Sequence, residues 1–214
     1  MEMVWFRTRK QRNVILALDR ILKKWRQVLS EYQNATNDLG YGWYYTEKTN
    51  FGFFLWACAQ LGMYFLPEFT EVRKRRGRPS SLGRPDCWVL MDPKKWIDAY
   101  IEVKKDHGCI DTGLRRTVLA RLKSAKKQLK EVSDAKTAKT RMALCFVTLW
   151  RNTHTKSEAS YERALSEYVE QLKDYHEIDF YAAYLSPEKL VKKSNRENKD
   201  TVYYPAIVMV GKFV

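Results

Sequence analysis

Apolar residues recur at spacings of three and four from Val14 through Leu18, Ile21, Trp25, Val28 and Tyr32, with Arg12, Arg20, Lys23, Lys24 and Arg26 between them. This is the period of an amphipathic helix. It predicts a helix over 11–37, stopped at "NDLGYG" and read as an N-terminal extension, 1–40, ahead of one domain over 41–214. A second helix is expected to start at the cap residue Thr46 and to run through "EKTNFGFFLWACAQLG", with Gly62 ending it. It is apolar nearly all round, so it should be buried. A strand is expected over 68–75. "CWVLM" and "AYIEV" then flank "DPKKW", the pattern of a β-hairpin. A third helix is predicted over 113–132. Leu114, Val118, Leu122, Ala125, Leu129 and Val132 form its apolar stripe, and Arg115, Arg116, Arg121, Lys123, Lys126, Lys127 and Lys130 its basic flank. "RMALCFVTLW" is almost continuously apolar, as in a strand buried on both faces. An acidic amphipathic helix follows over 158–174. "IDFYAAYL" and "VYYPAIVMVG" are the last strands, separated by a polar loop over 187–200, and Pro205 predicts a sheet edge for the final one. The class is therefore α/β: a single mixed β-sheet flanked by helices.

The hairpin carries an unusual set of charges. Side chains alternate along a strand, so Tyr100, Glu102 and Lys104 share one face while Ile101 and Val103 share the other, which is expected to be the core face. A turn centred at Lys94 sets Asp86 opposite Glu102. Two carboxylates at cross-strand distance repel unless positive charge lies between them. Lys104 could supply it, making a plain Glu–Lys pair on a surface hairpin, with Pro85-Asp86 as turn punctuation. A divalent metal could also supply it, since Mg²⁺ takes carboxylate, phosphate and water oxygens.

Charge narrows the partners. The 214 residues include 39 Lys and Arg against 25 Asp and Glu, a formal net charge of +14. Such an excess attracts polyanions, nucleic acid first. No apolar run approaches the roughly 20 residues of a membrane span, so no membrane partner is expected. Cys58, Cys87, Cys109 and Cys145 are scattered and form no CxxC pair, which fits a reducing compartment. The expected location is the cytoplasm, near the nucleoid, or a nucleus where the host has one.

"RPD" (84–86) and "EVK" (102–104), in consecutive apolar strands, resemble the PD-(D/E)xK nuclease superfamily, which includes many restriction endonucleases and Holliday-junction resolvases. "DPK", "DAK" and "ENK" also satisfy the short pattern, but only "EVK" lies in an apolar strand that follows a PD strand. The resemblance covers roughly 46–150 and implies a restriction-endonuclease-like core of order α-β-β-β-α-β. By resemblance, Asp86 and Glu102 would bind Mg²⁺ (or Mn²⁺) and Lys104 would act at the attacking water. Glu47 would stand for the superfamily's helix glutamate and Gln128 for an accessory glutamine. The implied activity is a metal-dependent endonuclease, acting on DNA rather than RNA, with a homodimer allowed. The alternative is a non-catalytic nucleic-acid-binding protein on the same fold.

"EVRKRRGRPSSLGRP" holds Arg73, Lys74, Arg75, Arg76, Arg78 and Arg84 and is expected to border the active end of the sheet. Together with Lys126 and Lys127 it is the expected nucleic-acid-binding surface. "RGRP" resembles an AT-hook core, which enters narrow minor grooves. Phosphate contact without base preference is the preferred reading. His107 and Cys109 are read as loop residues, since too few further ligands lie nearby for a metal.

Overall fold

The computed structural model describes residues 3–7, 11–36, 42–44, 46–68, 71–73, 81–83, 85–132, 140–151, 158–186, 192–194 and 201–214. Helices cover Arg12–Ala35 (α1), Glu47–Gln60 (α2), Arg116–Glu131 (α3) and Glu158–Leu172 (α4). Strands cover Val4–Phe6 (β1), Tyr64–Pro67 (β2), Glu71–Arg73 (β3), Ser81–Gly83 (β4), Cys87–Asp92 (β5), Ile97–Cys109 (β6), Thr140–Arg151 (β7), Phe180–Leu185 (β8), Lys192–Ser194 (β9) and Thr201–Phe213 (β10). One mixed sheet has the order β1-β8-β10-β7-β6-β5-β2, with β9 also paired to β10 and β3–β4 a separate pair. Only β6 and β7 run parallel, joined through α3; the other described pairs are antiparallel.

The apolar patterns explain the layers. On one face α1 and α2 cover Ala99, Ile101 and Val103 of β6 and Met142, Leu144 and Phe146 of β7. On the other, α3 and α4 cover Tyr100, Ala143, Cys145 and Val147. Both faces of β7 are therefore buried, as its continuous apolar run requires. Thr46 caps α2 as expected: its Oγ1 accepts from Thr49 N–H at 3.1 Å. α1 places Leu18, Ile21, Leu22, Trp25, Val28 and Leu29 in the same core as the sheet. No helix among the described residues is long and apolar enough to cross a membrane.

Four expectations change. Within the 68–75 expected as a strand lies only β3, Glu71–Arg73, paired with β4 apart from the main sheet; the main-sheet strand after α2 comes earlier, at β2, and Glu68 follows it with φ of 49°. β10 is interior, between β8 and β7, not at an edge. Pro205 is tolerated because the pairing with β7 shifts register between Tyr203 and Ala206, so no ladder donor is missing there. The edges are instead β1 and β2. His107 and Cys109 belong to β6, which outlasts its hairpin partner, and not to a loop. The face of Glu102 is packed as well: Glu102 is only 4% exposed, because α3 lies over it.

Candidate active site

The hairpin register follows from its turn. Cys87 pairs with Ile101 and Trp88 with Tyr100, as a turn centred at Lys94 predicts. One residue further on, Asp86 meets Glu102. Its backbone is fixed from the other side, where Asp86 O accepts from Glu68 N–H at 2.9 Å.

The strands have unequal lengths. β5 begins at Cys87, but β6 continues to Cys109. Beyond Ile101, the edge of β6 that faced β5 has no strand partner among the described residues, while its N–H groups still need acceptors. Carboxylates provide them. Val103 N–H donates to Asp86 Oδ2 at 2.6 Å. Lys105 N–H donates to Glu47. His107 N–H donates to Asp106 Oδ1 at 2.8 Å. An open strand edge therefore gathers negative charge at the end of the sheet.

Positive groups meet it. Lys104 Nζ donates to Glu102 Oε1 at 2.9 Å and to Val103 O at 2.7 Å. Lys105 Nζ donates to Tyr44 O at 2.7 Å, and burial pushes its ammonium down to about 8. Glu47, the first residue of α2, has its carboxyl raised by burial and by Asp86, while Lys104, the Lys105 N–H and Arg121 pull it down. The β7 residue beside Lys104, Cys145, feels the same groups: burial raises its thiol first, Asp106 and Glu47 add to that, and Arg121 and Lys104 oppose it.

Asp86, just before β5, thus comes together with Glu102 and Lys104 of β6 and Glu47 of α2. Two residues join them that sequence reasoning left out of the site. Asp106 continues the face of Glu102 and Lys104, a signal legible only once β6 is known to reach Cys109; its Oδ2 is buried without a hydrogen-bond partner. Arg121 comes from α3, and nothing in its local sequence sets it apart from the other basic residues there.

The remaining expected residues lie elsewhere. Val118, Leu122, Ala125 and Leu129 form the buried stripe of α3, and helical spacing puts Arg121 and Lys126 on opposite sides of it. Lys126 lines a groove with Lys123, Glu177 and Lys212, and Lys127 lies with Lys123 and Lys130 on the outer surface. Gln128 is half-buried with its Oε1 unpartnered, two helical turns from Arg121. Lys74, Arg75, Arg76, Arg78 and Arg84 fall outside the described residues, and Arg73 closes β3.

Among the described residues, no three His, Cys, Asp or Glu side chains form a ready ligand cluster. The donor chemistry nonetheless suits a hard cation. A carboxylate has about four acceptor positions, and Asp86 and Glu102 bring two carboxylates to one end of the sheet, held by Val103 N–H and by Lys104. Mg²⁺ needs only one or two carboxylates beside water and phosphate. No family model matches the chain, and neither a curated protein nor a solved structure matches it.

Proposed function

We propose that the chain is a metal-dependent nuclease with a restriction-endonuclease-like core, hydrolysing phosphodiester bonds in DNA. The observation that carries this reading is the hydrogen bond from Val103 N–H to Asp86 Oδ2, which holds Asp86 beside the Glu102–Lys104 pair at the open end of the sheet. The order α2-β2-β5-β6-α3-β7 supports it, being α-β-β-β-α-β with β3–β4 inserted before β5.

Asp86 and Glu102 would hold Mg²⁺ or Mn²⁺, which supplies Lewis acidity and neutralises charge at a phosphate. The chain's own groups do the rest. Lys104, held by Glu102 Oε1 and Val103 O, presents an ammonium to a phosphate oxygen or orients the attacking water. Glu47, whose carboxyl burial raises above the ordinary glutamate value, is suited to accept that water's proton. Arg121 adds positive charge from α3.

A second reading is a non-catalytic nucleic-acid-binding protein. It is favoured by the backbone role of Asp86 and Glu47, since an open strand edge needs their oxygens whether or not any chemistry follows.

A cleavage panel separates the two: plasmid, linear duplex, single strand, branched junction and RNA, each with Mg²⁺, Mn²⁺ or EDTA. Metal-dependent cutting of at least one DNA substrate is expected. Asp86→Asn keeps an acceptor for Val103 N–H but removes the charge. It should retain the fold and lose cleavage by about a hundredfold or more, the scale of a lost metal contact. No cutting in any lane, or full activity in Asp86→Asn, would sink the nuclease reading.

A further inference from the structure

The α3 side of the sheet is not fully covered. α3 lies over β6 and β7 and α4 over β8. Among the described residues, the same face is buried at Leu90 of β5 and at Asp98 but stays exposed on the neighbouring edge strand β2. Tyr64 is 64% exposed there and Leu66 56%, although both are apolar and neighbours on one strand face. Trp88, half-buried, stands next to Leu66 across the β2–β5 pair, and its indole is held by Nε1–H donating to Asp98 Oδ2 at 3.0 Å.

Register ties this shelf to the candidate site. Leu66, Trp88 and Tyr100 form one cross-strand row. The next row on the same face is Glu68, Asp86 and Glu102, since Glu68 N–H donates to Asp86 O. Two residues of strand span about 7 Å. A nucleotide whose phosphate lies at Asp86 and Glu102 would therefore have its base, or its neighbour's, over Leu66, Trp88 and Tyr64. Glu68 at the shelf's end is paired with Lys48 at 2.8 Å, which offsets its repulsion of phosphate.

We infer that Tyr64, Leu66 and Trp88 form a stacking platform for unpaired nucleobases, so that the substrate presents single-stranded or splayed nucleotides at the site. This rests on the reading that this end of the sheet meets nucleic acid. Aromatic faces beside a basic track take up single strands without needing a base sequence, and the net charge of +14 supplies the attraction for the backbone. In a duplex the base faces are already stacked on one another. A second copy of the chain fits less well. The shelf offers on the order of 300 Å² from a few partly exposed side chains, against about 800 Å² per partner in a stable interface. Strand addition along β2 is limited too, by its four residues, by Pro67 and by the left-handed Glu68 that ends it.

The test measures binding in EDTA, apart from chemistry, by anisotropy of a labelled single strand, the same strand annealed to its complement, and the same strand with abasic positions. Tyr64→Ala combined with Leu66→Ala changes exposed positions only. It should weaken single-strand binding about tenfold and duplex binding less than about twofold, while Tyr64→Trp in an otherwise wild-type chain should hold or improve the single-strand affinity. The abasic strand should bind the wild-type chain about as weakly as the normal strand binds the double variant. Equal losses on single strand and duplex, or no loss at all, would overturn the platform. So would a double variant that abolishes a concentration-dependent dimer in sedimentation while keeping its single-strand affinity. Absence of metal-dependent cutting in the cleavage panel bears on the nuclease reading alone, and a single-strand-selective loss in EDTA bears on the platform alone.

Discussion

At the residue scale the site is organised by Val103, Lys105 and His107, whose edge N–H groups outlast their strand partner. The acceptors they draw in, Asp86, Glu47 and Asp106, are, with Glu102, the acids of the site. Glu47 has a cost attached. Burial raises its carboxyl above the ordinary glutamate value, so the folded state binds its proton more tightly than the unfolded chain does. Stability contributed at this position falls as pH rises from the unfolded value through the folded one. Glu47→Gln removes the charge yet keeps an oxygen for Lys105 N–H. Its melting temperature should exceed the wild type's at pH 8, with the gap closing below the unfolded value near pH 4. On the nuclease reading the same variant should cut DNA more slowly, by about 10² to 10⁴ for a lost proton acceptor. A Gln variant less stable than wild type at pH 8 would show that ionised Glu47 is held for structural reasons.

At the element scale α3 has two unlike flanks. Arg121 faces the carboxylates, while Lys126 faces Glu177 and Lys212 across the buried stripe. A basic stripe in the sequence does not say which of its residues points at the site, because the helix's rotation is set by Val118, Leu122, Ala125 and Leu129 seating on β6 and β7. Each cation that meets a phosphate contributes about −0.9 to the slope of log affinity against log salt. Arg121→Gln should therefore flatten the slope for DNA by about 0.9. Lys126→Gln with Lys127→Gln, away from the site, should change it by less than that one increment. A change near 1.8 in the lysine pair, measured by anisotropy over a salt series, would move the binding surface to the outer face of α3.

At the scale of the whole molecule, the sheet is one layer between two cores, and α1 belongs to the first of them. Trp25 is fully buried and packs at 6.1 Å, centroid to centroid, with its ring tilted by 43° against Phe146 of β7. Trp25→Ala should cost about 3–5 kcal/mol in a urea melt, and a chain lacking 1–36 should not fold cooperatively. A cooperative, native-like melt from that deletion would make the first helix the separable extension that its sequence suggests. The amino-acid order alone determined what depends on near neighbours in the chain: the Thr46 cap, the hairpin with its register about Lys94, the double-sided burial of β7, and so the meeting of Asp86 with Glu102 and Lys104. These rest on period, capping and turn chemistry, which act over a few residues. Only the tertiary structure decided that β6 outruns β5, that α3 covers Glu102, that Arg121 and Glu47 converge on the open edge, and that β10 sits inside the sheet in spite of Pro205. Those outcomes depend on which distant segments pack and pair with one another, and the energy that selects them belongs to burial across the whole core, which no local pattern carries.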